Sequence, residues 1–190
     1  MTENITIDGG ARRCSIFLTP ARDDYSLLDG MIRDFCNRFD LSPFVPHVTV
    51  YTGAFSDLST VERAVCVAIE GVPPLTLRVS GIGFSAEYFK TLFIEFEEEP
   101  LLRLIHERIK DECGVLSAYE LHPHLSLLYA DLPLPNKESL AKRVVLSRTE
   151  FSFDLVKLVT PGNPNNGWRD TKRWETLLDL ELTGKSPETI

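Results

Sequence analysis

Two short segments of the chain carry the same order of residue types: proline, histidine, an apolar residue, a hydroxyl residue and a second apolar residue. An extended chain places every second side chain on the same face. In the first segment His47 therefore shares a face with Thr49, while the valines between them point the other way. In the second segment His124 shares a face with Ser126. The two segments are residues 46–50 and 123–127.

These four side chains are suited to the hydrolysis of a phosphodiester. The two segments are far apart in the chain, so they belong to different supersecondary units. If they were neighbouring strands, roughly 4.8 Å apart, their polar faces would enclose a volume about the size of one phosphate. Two imidazoles, with an unperturbed pKa of about 6.5, can act as base and acid near neutral pH. Hydroxyl donors beside them can stabilise the charge that develops on the phosphate oxygens.

Other interpretations of the histidines are less specific. A single histidine such as His47 is more often a strand-end residue satisfied by a hydrogen bond, but the paired pattern reverses that preference. His122 and His124 form an H-x-H pair that could ligate a metal, yet no companion D-x-H or H-E-x-x-H motif is present. We therefore predict no metal and no other cofactor. His122 is predicted at a cleft rim or exposed, and His106 on the surface or packed against a helix.

Composition limits the partners. The net charge is −8, and no run of lysine and arginine exceeds two residues. A long nucleic acid would require a basic stripe, so a small ligand is expected instead. No apolar segment is long enough for a membrane span, and the N-terminus does not resemble a signal peptide. Scattered cysteines indicate reduced thiols in a monomeric cytoplasmic protein. They are Cys14, Cys36, Cys66 and Cys113.

The order of predicted elements indicates an internal duplication and an α+β fold. Strands are predicted at about residues 13–19, 46–52, 75–85, 91–97, 151–159 and 174–182, and around the second histidine segment. Helices are predicted from about residue 24 to 41, 58 to 70, 100 to 112 and 136 to 146. Gly53 should break the second strand, whereas Gly81 and Gly83 suggest a bulge or the close approach of a ligand. A single domain over residues 11–184 is expected, with tails at 1–10 and 185–190.

The paired motifs, their separation and the duplicated outline resemble the 2H phosphoesterase superfamily. Within it, residues 122–129 and the connection 88–90 are similar to cyclic phosphodiesterases of the fungal and plant type. The resemblance implies a bilobal α+β fold of duplicated β-α-β units. It also implies two antiparallel sheets facing a central cleft, helices outside, and opening of a cyclic phosphate without a metal.

The resemblance further implies roles for the motif residues. His47 and His124 would be the catalytic pair, and Thr49 and Ser126 would bind phosphate oxygens. By analogy with the family, His124 is the base that activates water and His47 is the acid that protonates the leaving oxygen.

Three activities follow from these observations as hypotheses. The first is hydrolysis of small cyclic phosphates: nucleoside 2',3'-cyclic phosphate to the 2'-phosphate, or ADP-ribose 1'',2''-cyclic phosphate to the 1''-phosphate. The second is a 2',3'-cyclic phosphodiesterase or ligase-like enzyme acting on tRNA or other RNA ends, which the acidic composition disfavours. The third is a nucleotide-binding module without catalysis.

Several further side chains are predicted to contact substrate. Tyr51 lies four residues after His47 and so shares its predicted face, whereas Tyr129, five residues after His124, should point away. Aromatic rings could stack a base and cations could lie near phosphate, although such residues are as often core or plain surface. The candidates are Tyr51, Tyr88, Lys90, His122, Trp168 and Arg169.

Overall fold

The computed structural model describes residues 12–113, 118–162 and 167–185. The predicted tail at 1–10, and all of the tail at 185–190 except residue 185, lie outside them. The strands are β1 (Arg12–Pro20), β2 (Val48–Phe55), β3 (Leu75–Gly83), β4 (Leu92–Phe96), β5 (His124–Leu128), β6 (Glu150–Thr160) and β7 (Glu175–Glu181). The helices are α1 (Arg22–Arg38), α2 (Leu58–Ile69), α3 (Pro100–Cys113) and α4 (Leu134–Ala141). The predicted α+β class is thus confirmed.

All strand pairs are antiparallel, and the strand order is β1-β2-β5-β4-β3-β6-β7. In place of two separate sheets, hydrogen bonding joins all seven strands. The reason is the length of β6, which pairs with β1 through residues 153–159 and with β3 through residues 150–153. A second link joins β2 to β5 at the pair Val48 and Leu125. The two histidine segments therefore lie on neighbouring strands.

Helices α2 and α3 begin at carboxylates that cap their first turn, and each buries one apolar face. The carboxylate of Asp57 accepts a hydrogen bond from the Ser59 N–H at 3.0 Å, which confirms the predicted start of α2. Such a cap contributes about 1 kcal/mol. At the start of α3, Glu99 accepts from the Leu102 N–H at 2.7 Å. Helices α2 and α3 pack on each other, and apolar residues at helical spacing cover the sheet.

Element ends differ from prediction where strand pairing decides them. Gly53 does not break β2, because it pairs with Cys14 of β1 and the strand continues to Phe55. Strand β5 begins only at His124, since Pro123 has no N–H to donate to a neighbouring strand. None of the described helices is both long and apolar enough to cross a membrane.

The bulge predicted from Gly81 and Gly83 is confirmed, because the register of β3 against β4 shifts between Val79 and Gly81. The close approach is made by a side chain of the protein. A Cβ atom at Gly83 would lie 2.4 Å from the ring of Phe93. That ring in turn packs edge-on against His124, with centroids 5.3 Å apart. Gly83 therefore makes room for one wall of the histidine site.

Candidate active site

The antiparallel register of β2 and β5 brings the two motifs together in a crossed arrangement. Val48 pairs with Leu125. One step along each strand, the same register sets His47 opposite Ser126 and Thr49 opposite His124. Each histidine thus faces the hydroxyl residue of the other motif. All four side chains line one cleft, as the alternation of the sequence predicts.

Both imidazoles are held in the same way by the backbone. The Nδ1 atom of His47 lies 2.6 Å from the carbonyl oxygen of Val45, and Nδ1 of His124 lies 2.7 Å from that of His122. In each case the carbonyl belongs to the residue before a proline, whose ring fixes the local turn. With the Nδ1 proton donated to a carbonyl, the Nε2 atom of each ring is the one free to exchange a proton.

The surroundings of His47 are apolar. Its ring stacks on Phe17 and lies edge-on to Trp174 at a centroid separation of 5.8 Å. Burial lowers the pKa of His47 to about 4, and the positive charge of His124 adds to the effect while the Val45 carbonyl opposes it. With no ligand bound, His47 is therefore neutral at physiological pH.

His124 is more open to solvent than His47. Desolvation is the main cause that lowers its pKa, and the hydrogen bond to the His122 carbonyl opposes it. Among nearby charges, Lys90 lowers the pKa further and Glu87 raises it. Two of the charges that act on His124 therefore come from the connection between β3 and β4.

The two hydroxyl groups are held differently. Among the described residues, Thr49 Oγ1 has no hydrogen-bond partner, so it is available to a ligand. Ser126 Oγ donates to the carbonyl oxygen of Phe89 at 2.8 Å and is also hydrogen-bonded to the hydroxyl of Tyr129. Ser126 must redirect its proton to donate to a phosphate oxygen, whereas Thr49 is already free.

A β-bulge explains how β2 contributes a second hydroxyl to the cleft. Tyr51 pairs with Ile16, but the next residue of β1, Phe17, pairs with Thr49, so that Val50 is the extra residue. The alternation therefore changes phase, and Thr52 lines the cleft with Thr49. The prediction for Tyr51 is wrong for this reason: its side chain is fully buried in the core, away from the cleft.

The cleft has a volume of about 200 Å³ and a mainly aromatic wall. Sequence reasoning missed several of its residues, since they lie outside the motif faces: Ser15, Phe17, Thr52, Glu87, Tyr119, Tyr129 and Trp174. Tyr129 was predicted to point away from His124, but β5 ends at Leu128 and the alternation ends with it. The indole N–H of Trp174 donates to the carbonyl of Trp168 at 3.0 Å, which joins the two tryptophans of the wall.

Of the further predicted residues, Lys90 and Trp168 line the cleft. Tyr88 and Arg169 do not line it. They contact each other, with the guanidinium of Arg169 4.0 Å from the centre of the Tyr88 ring. Arg169 also forms an ion pair with Asp131 at 2.7 Å. The contact connects the segment that carries Trp168 to the end of β5.

The other two histidines lie outside the cleft. His122 is exposed, because it precedes Pro123 and the start of β5. His106 is buried in α3, with Nδ1 2.8 Å from the Val50 carbonyl, in agreement with the predicted packing role. Over residues 12–113, 118–162 and 167–185, no group of three or more histidine, cysteine, aspartate or glutamate side chains could hold a metal ion.

The fold of the chain matches that of solved structures. The chain superposes on the crystal structure of E. coli LigT complexed with 3'-AMP with a TM-score of 0.58 and 14% identity, over 91% of this chain and 99% of that one. The crystal structure of TT0787 of Thermus thermophilus gives a TM-score of 0.61 at 17% identity, over 90% and 97% of the two chains. The fold is therefore that of the 2H phosphoesterases.

Sequence comparison gives the particular family. Residues 13–176 match the family described as cyclic phosphodiesterase-like protein, and the chain belongs to this family. Two relatives agree. The cyclic phosphodiesterase of Arabidopsis thaliana is 23% identical over 88% of this chain and 94% of its own length. The 2',3'-cyclic-nucleotide 3'-phosphodiesterase of Saccharomyces cerevisiae is 26% identical over 87% of this chain and 85% of its own length. The protein is accordingly a phosphodiesterase, and the predicted resemblance is confirmed.

Proposed function

We propose that the protein hydrolyses small cyclic phosphates by general acid and base catalysis from His47 and His124. The substrates are nucleoside 2',3'-cyclic phosphates, opened to 2'-phosphates, and ADP-ribose 1'',2''-cyclic phosphate, opened to the 1''-phosphate. The observation that carries the proposal is the crossed register, in which each histidine faces the hydroxyl of the other motif. A phosphate between the strands would have an imidazole on either side and Thr49 and Ser126 as donors to its oxygens.

The two imidazoles carry out the two proton transfers of one displacement at phosphorus. In the proposed order, His124 Nε2 takes a proton from water as the water oxygen attacks phosphorus. The bond between phosphorus and the leaving ester oxygen breaks, and His47 Nε2 gives that oxygen its proton. The difference in exposure supports this order, because the nucleophile comes from solvent and His124 is the more open ring.

If His47 is the acid, it must hold a proton before the reaction despite its low pKa. The cyclic phosphate brings a negative charge into the cleft, and an opposite charge within about 4–6 Å raises the pKa of an imidazole by roughly 1–3 units. Substrate binding thus favours protonation of His47. Burial of the ring makes this imidazolium a stronger acid than a solvated one, which favours transfer of its proton to the leaving ester oxygen.

The aromatic wall supports a nucleotide as the substrate. Trp168 and Trp174 lie beside Phe17, which stacks on His47, with ring centroids 6.4 and 5.6 Å from Phe17. A base stacked there would leave its ribose, and hence the leaving oxygen, on the His47 side. Two relatives carry names that agree with this chemistry: one is a cyclic phosphodiesterase and the other a 2',3'-cyclic-nucleotide 3'-phosphodiesterase.

A monomer in the cytoplasm, acting on small substrates without long nucleic acid or membrane, fits the other observations. The net charge is −8, which opposes binding to an RNA backbone. The four cysteines are free thiols, and burial raises the pKa of Cys14 to about 12 and of Cys36 to about 11. Buried, unreactive thiols are typical of a reducing compartment.

Turnover by the purified protein tests the proposal. Nucleoside 2',3'-cyclic phosphates, ADP-ribose 1'',2''-cyclic phosphate and an RNA with a cyclic end are compared as substrates. We expect turnover of the small substrates, and a loss of about 10²–10⁴-fold in kcat for His47→Ala or His124→Ala. His122→Ala is the matched control, because His122 is exposed outside the cleft. Turnover of the RNA alone would favour the RNA-end enzyme, and binding without turnover would favour the nucleotide-binding module.

A further inference from the structure

Lys137 of α4 is a lysine in an unusual place. Its side chain is among the largest that are fully buried, and the residue is only 1% exposed. Lysine is almost never fully buried unless its charge is compensated. No carboxylate pairs with Lys137 among the residues that the structure describes; its ammonium group instead donates to three backbone carbonyls. These belong to Ser85 at 2.9 Å, Ala86 at 3.4 Å and Glu87 at 3.4 Å.

The three carbonyls open the segment between β3 and β4, here called the 85–90 loop. The same segment carries Glu87, Phe89 and Lys90 to the cleft. Its internal hydrogen bonds keep it compact: Ser85 Oγ donates to the Lys90 carbonyl at 2.9 Å, and the Glu87 N–H donates to Ser85 Oγ at 3.1 Å. The ammonium of Lys137 therefore holds the first half of a loop whose second half lines the site.

The loop also touches the motif residues themselves. Phe89 presents its carbonyl to Ser126 Oγ at 2.8 Å. Lys90 and Glu87 are the loop charges that act on the His124 ring. A shift of this segment would consequently alter a phosphate-binding hydroxyl, a cation of the cleft and the electrostatic environment of one catalytic histidine together.

We propose that Lys137 is a positioning residue for catalysis, whose ammonium fixes the 85–90 loop and so sets Lys90 and Ser126 against the phosphate. The proposal rests on the proposed function, because it assumes that the phosphate binds between the two motifs. A buried ammonium is costly unless its hydrogen bonds are satisfied. An apolar residue would fill the same space under α4 without that cost, but the carbonyls of Ser85 and Ala86 would lose this donor, and that of Glu87 would keep only the Lys90 N–H at 3.3 Å.

The test compares Lys137→Met and Lys137→Gln with Lys142→Met. Lys142 lies beside the C-terminal end of α4, but its side chain is 73% exposed and pairs with Glu138. We expect kcat/KM to fall by about 10- to 100-fold in Lys137→Met, since a small displacement of binding groups costs this much. Lys137→Gln, which keeps two N–H donors, should lose less. Lys142→Met should retain the activity of the unaltered protein.

A double-mutant cycle separates positioning from general stabilisation. If Lys137 acts through Lys90, then Lys137→Met should lower kcat/KM much less in a Lys90→Met background than in the original protein. Losses that simply multiply would mean that the two residues act independently. That result would overturn the proposal.

The pKa of His124, measured by NMR titration, tests the inference without an assay of turnover. The surroundings of His124 contain Lys90 and Glu87 from the loop, His122 just before β5 and His47 just before β2. Since Lys90 lowers the pKa of His124 more than Glu87 raises it, release of the loop in Lys137→Met should raise that pKa, with no change in Lys142→Met.

The outcomes distinguish this inference from the proposed function. If the unaltered protein opens no cyclic phosphate, the proposed function fails while the His124 titration still tests the role of Lys137. A folded Lys137 variant with unchanged kcat/KM and unchanged titration would overturn the inference. Failure of both Lys137 variants to fold would show that the whole domain requires Lys137, and this result would also overturn the inference.

Discussion

The imidazole of His47 lies face to face on the phenyl ring of Phe17, with centroids 3.6 Å apart and planes 20° from parallel. Phe17 comes from β1, and His47 immediately precedes β2, so the stack depends on the pairing of these strands. The contact shields the ring from water. Because desolvation is the main cause of the low His47 pKa, and Phe17 covers one face of the ring, we expect Phe17 to contribute to that low pKa.

Phe17→Ala should raise the pKa of His47 from about 4 toward the ordinary value of about 6.5, since water then reaches the ring. An NMR titration of the imidazole measures the shift. Phe151→Leu is a control for loss of buried aromatic surface, because Phe151 lies in the core on β6. A His47 pKa that stays low in Phe17→Ala would show that Phe17 does not cause the desolvation.

The pH dependence of kcat/KM should be bell-shaped with its maximum below about pH 6.5. The reaction requires one protonated and one neutral imidazole, and in the free enzyme both pKa values lie below the ordinary value of about 6.5. As the pH rises through these values, the second proton is lost and kcat/KM falls. The bound phosphate raises both pKa values, so the kcat profile should lie at higher pH. Coincident profiles with a maximum above pH 7 would contradict this account.

The roles of the two histidines should separate with the leaving group. A phosphodiester that releases p-nitrophenolate needs no proton from the enzyme, so it should restore turnover to His47→Ala and not to His124→Ala. Release of nitrophenolate, followed by its absorbance, is the measurement, with His122→Ala as the control. Rescue of His124→Ala instead would reverse the assignment. Near-normal turnover by both variants with every cyclic phosphate would mean that the two-histidine mechanism is wrong.

Arg169→Ala should raise KM by about fivefold with little change in kcat. The variant removes an exposed ion pair to Asp131 and a cation–π contact to Tyr88, each worth up to about 1 kcal/mol. These contacts hold the segment that carries Trp168 over the cleft, and a factor of about five corresponds to 1 kcal/mol. Steady-state kinetics with a cyclic nucleotide measure the effect. Arg103→Ala, which loses an exposed ion pair to Glu98 beside α3, should leave KM unchanged.

Prolonged treatment with EDTA should leave turnover intact, because both proton transfers are assigned to imidazoles of the chain. Initial rates before and after chelation, with a cyclic nucleotide at saturation, are the measurement. Loss of activity that returns on addition of Zn²⁺ or Mn²⁺ would contradict the mechanism. That result would indicate that the H-x-H pair of His122 and His124 binds a metal.

Residue order alone was enough to predict which side chains of each motif share a face. In an extended segment the direction of a side chain follows from its position relative to its neighbours, and for this reason His47 with Thr49 and His124 with Ser126 could be assigned to shared faces. Helices α2 and α3 were predictable for a similar reason. Their apolar spacing and caps, such as Asp57 at the start of α2, are local features of the chain.

The surroundings of those motifs depend on contacts between distant parts of the chain. Tyr51 was misplaced because a bulge in β2 depends on its pairing with β1, and Tyr129 because β5 ends where its pairing with β4 ends. Lys137 gave no signal, since the carbonyls that hold it lie about fifty residues earlier in the chain. Phe17 of β1 and Trp174, just before β7, likewise reach the cleft from segments remote in sequence. Such contacts follow from strand register and loop packing, which depend on the whole chain and not on local residue order.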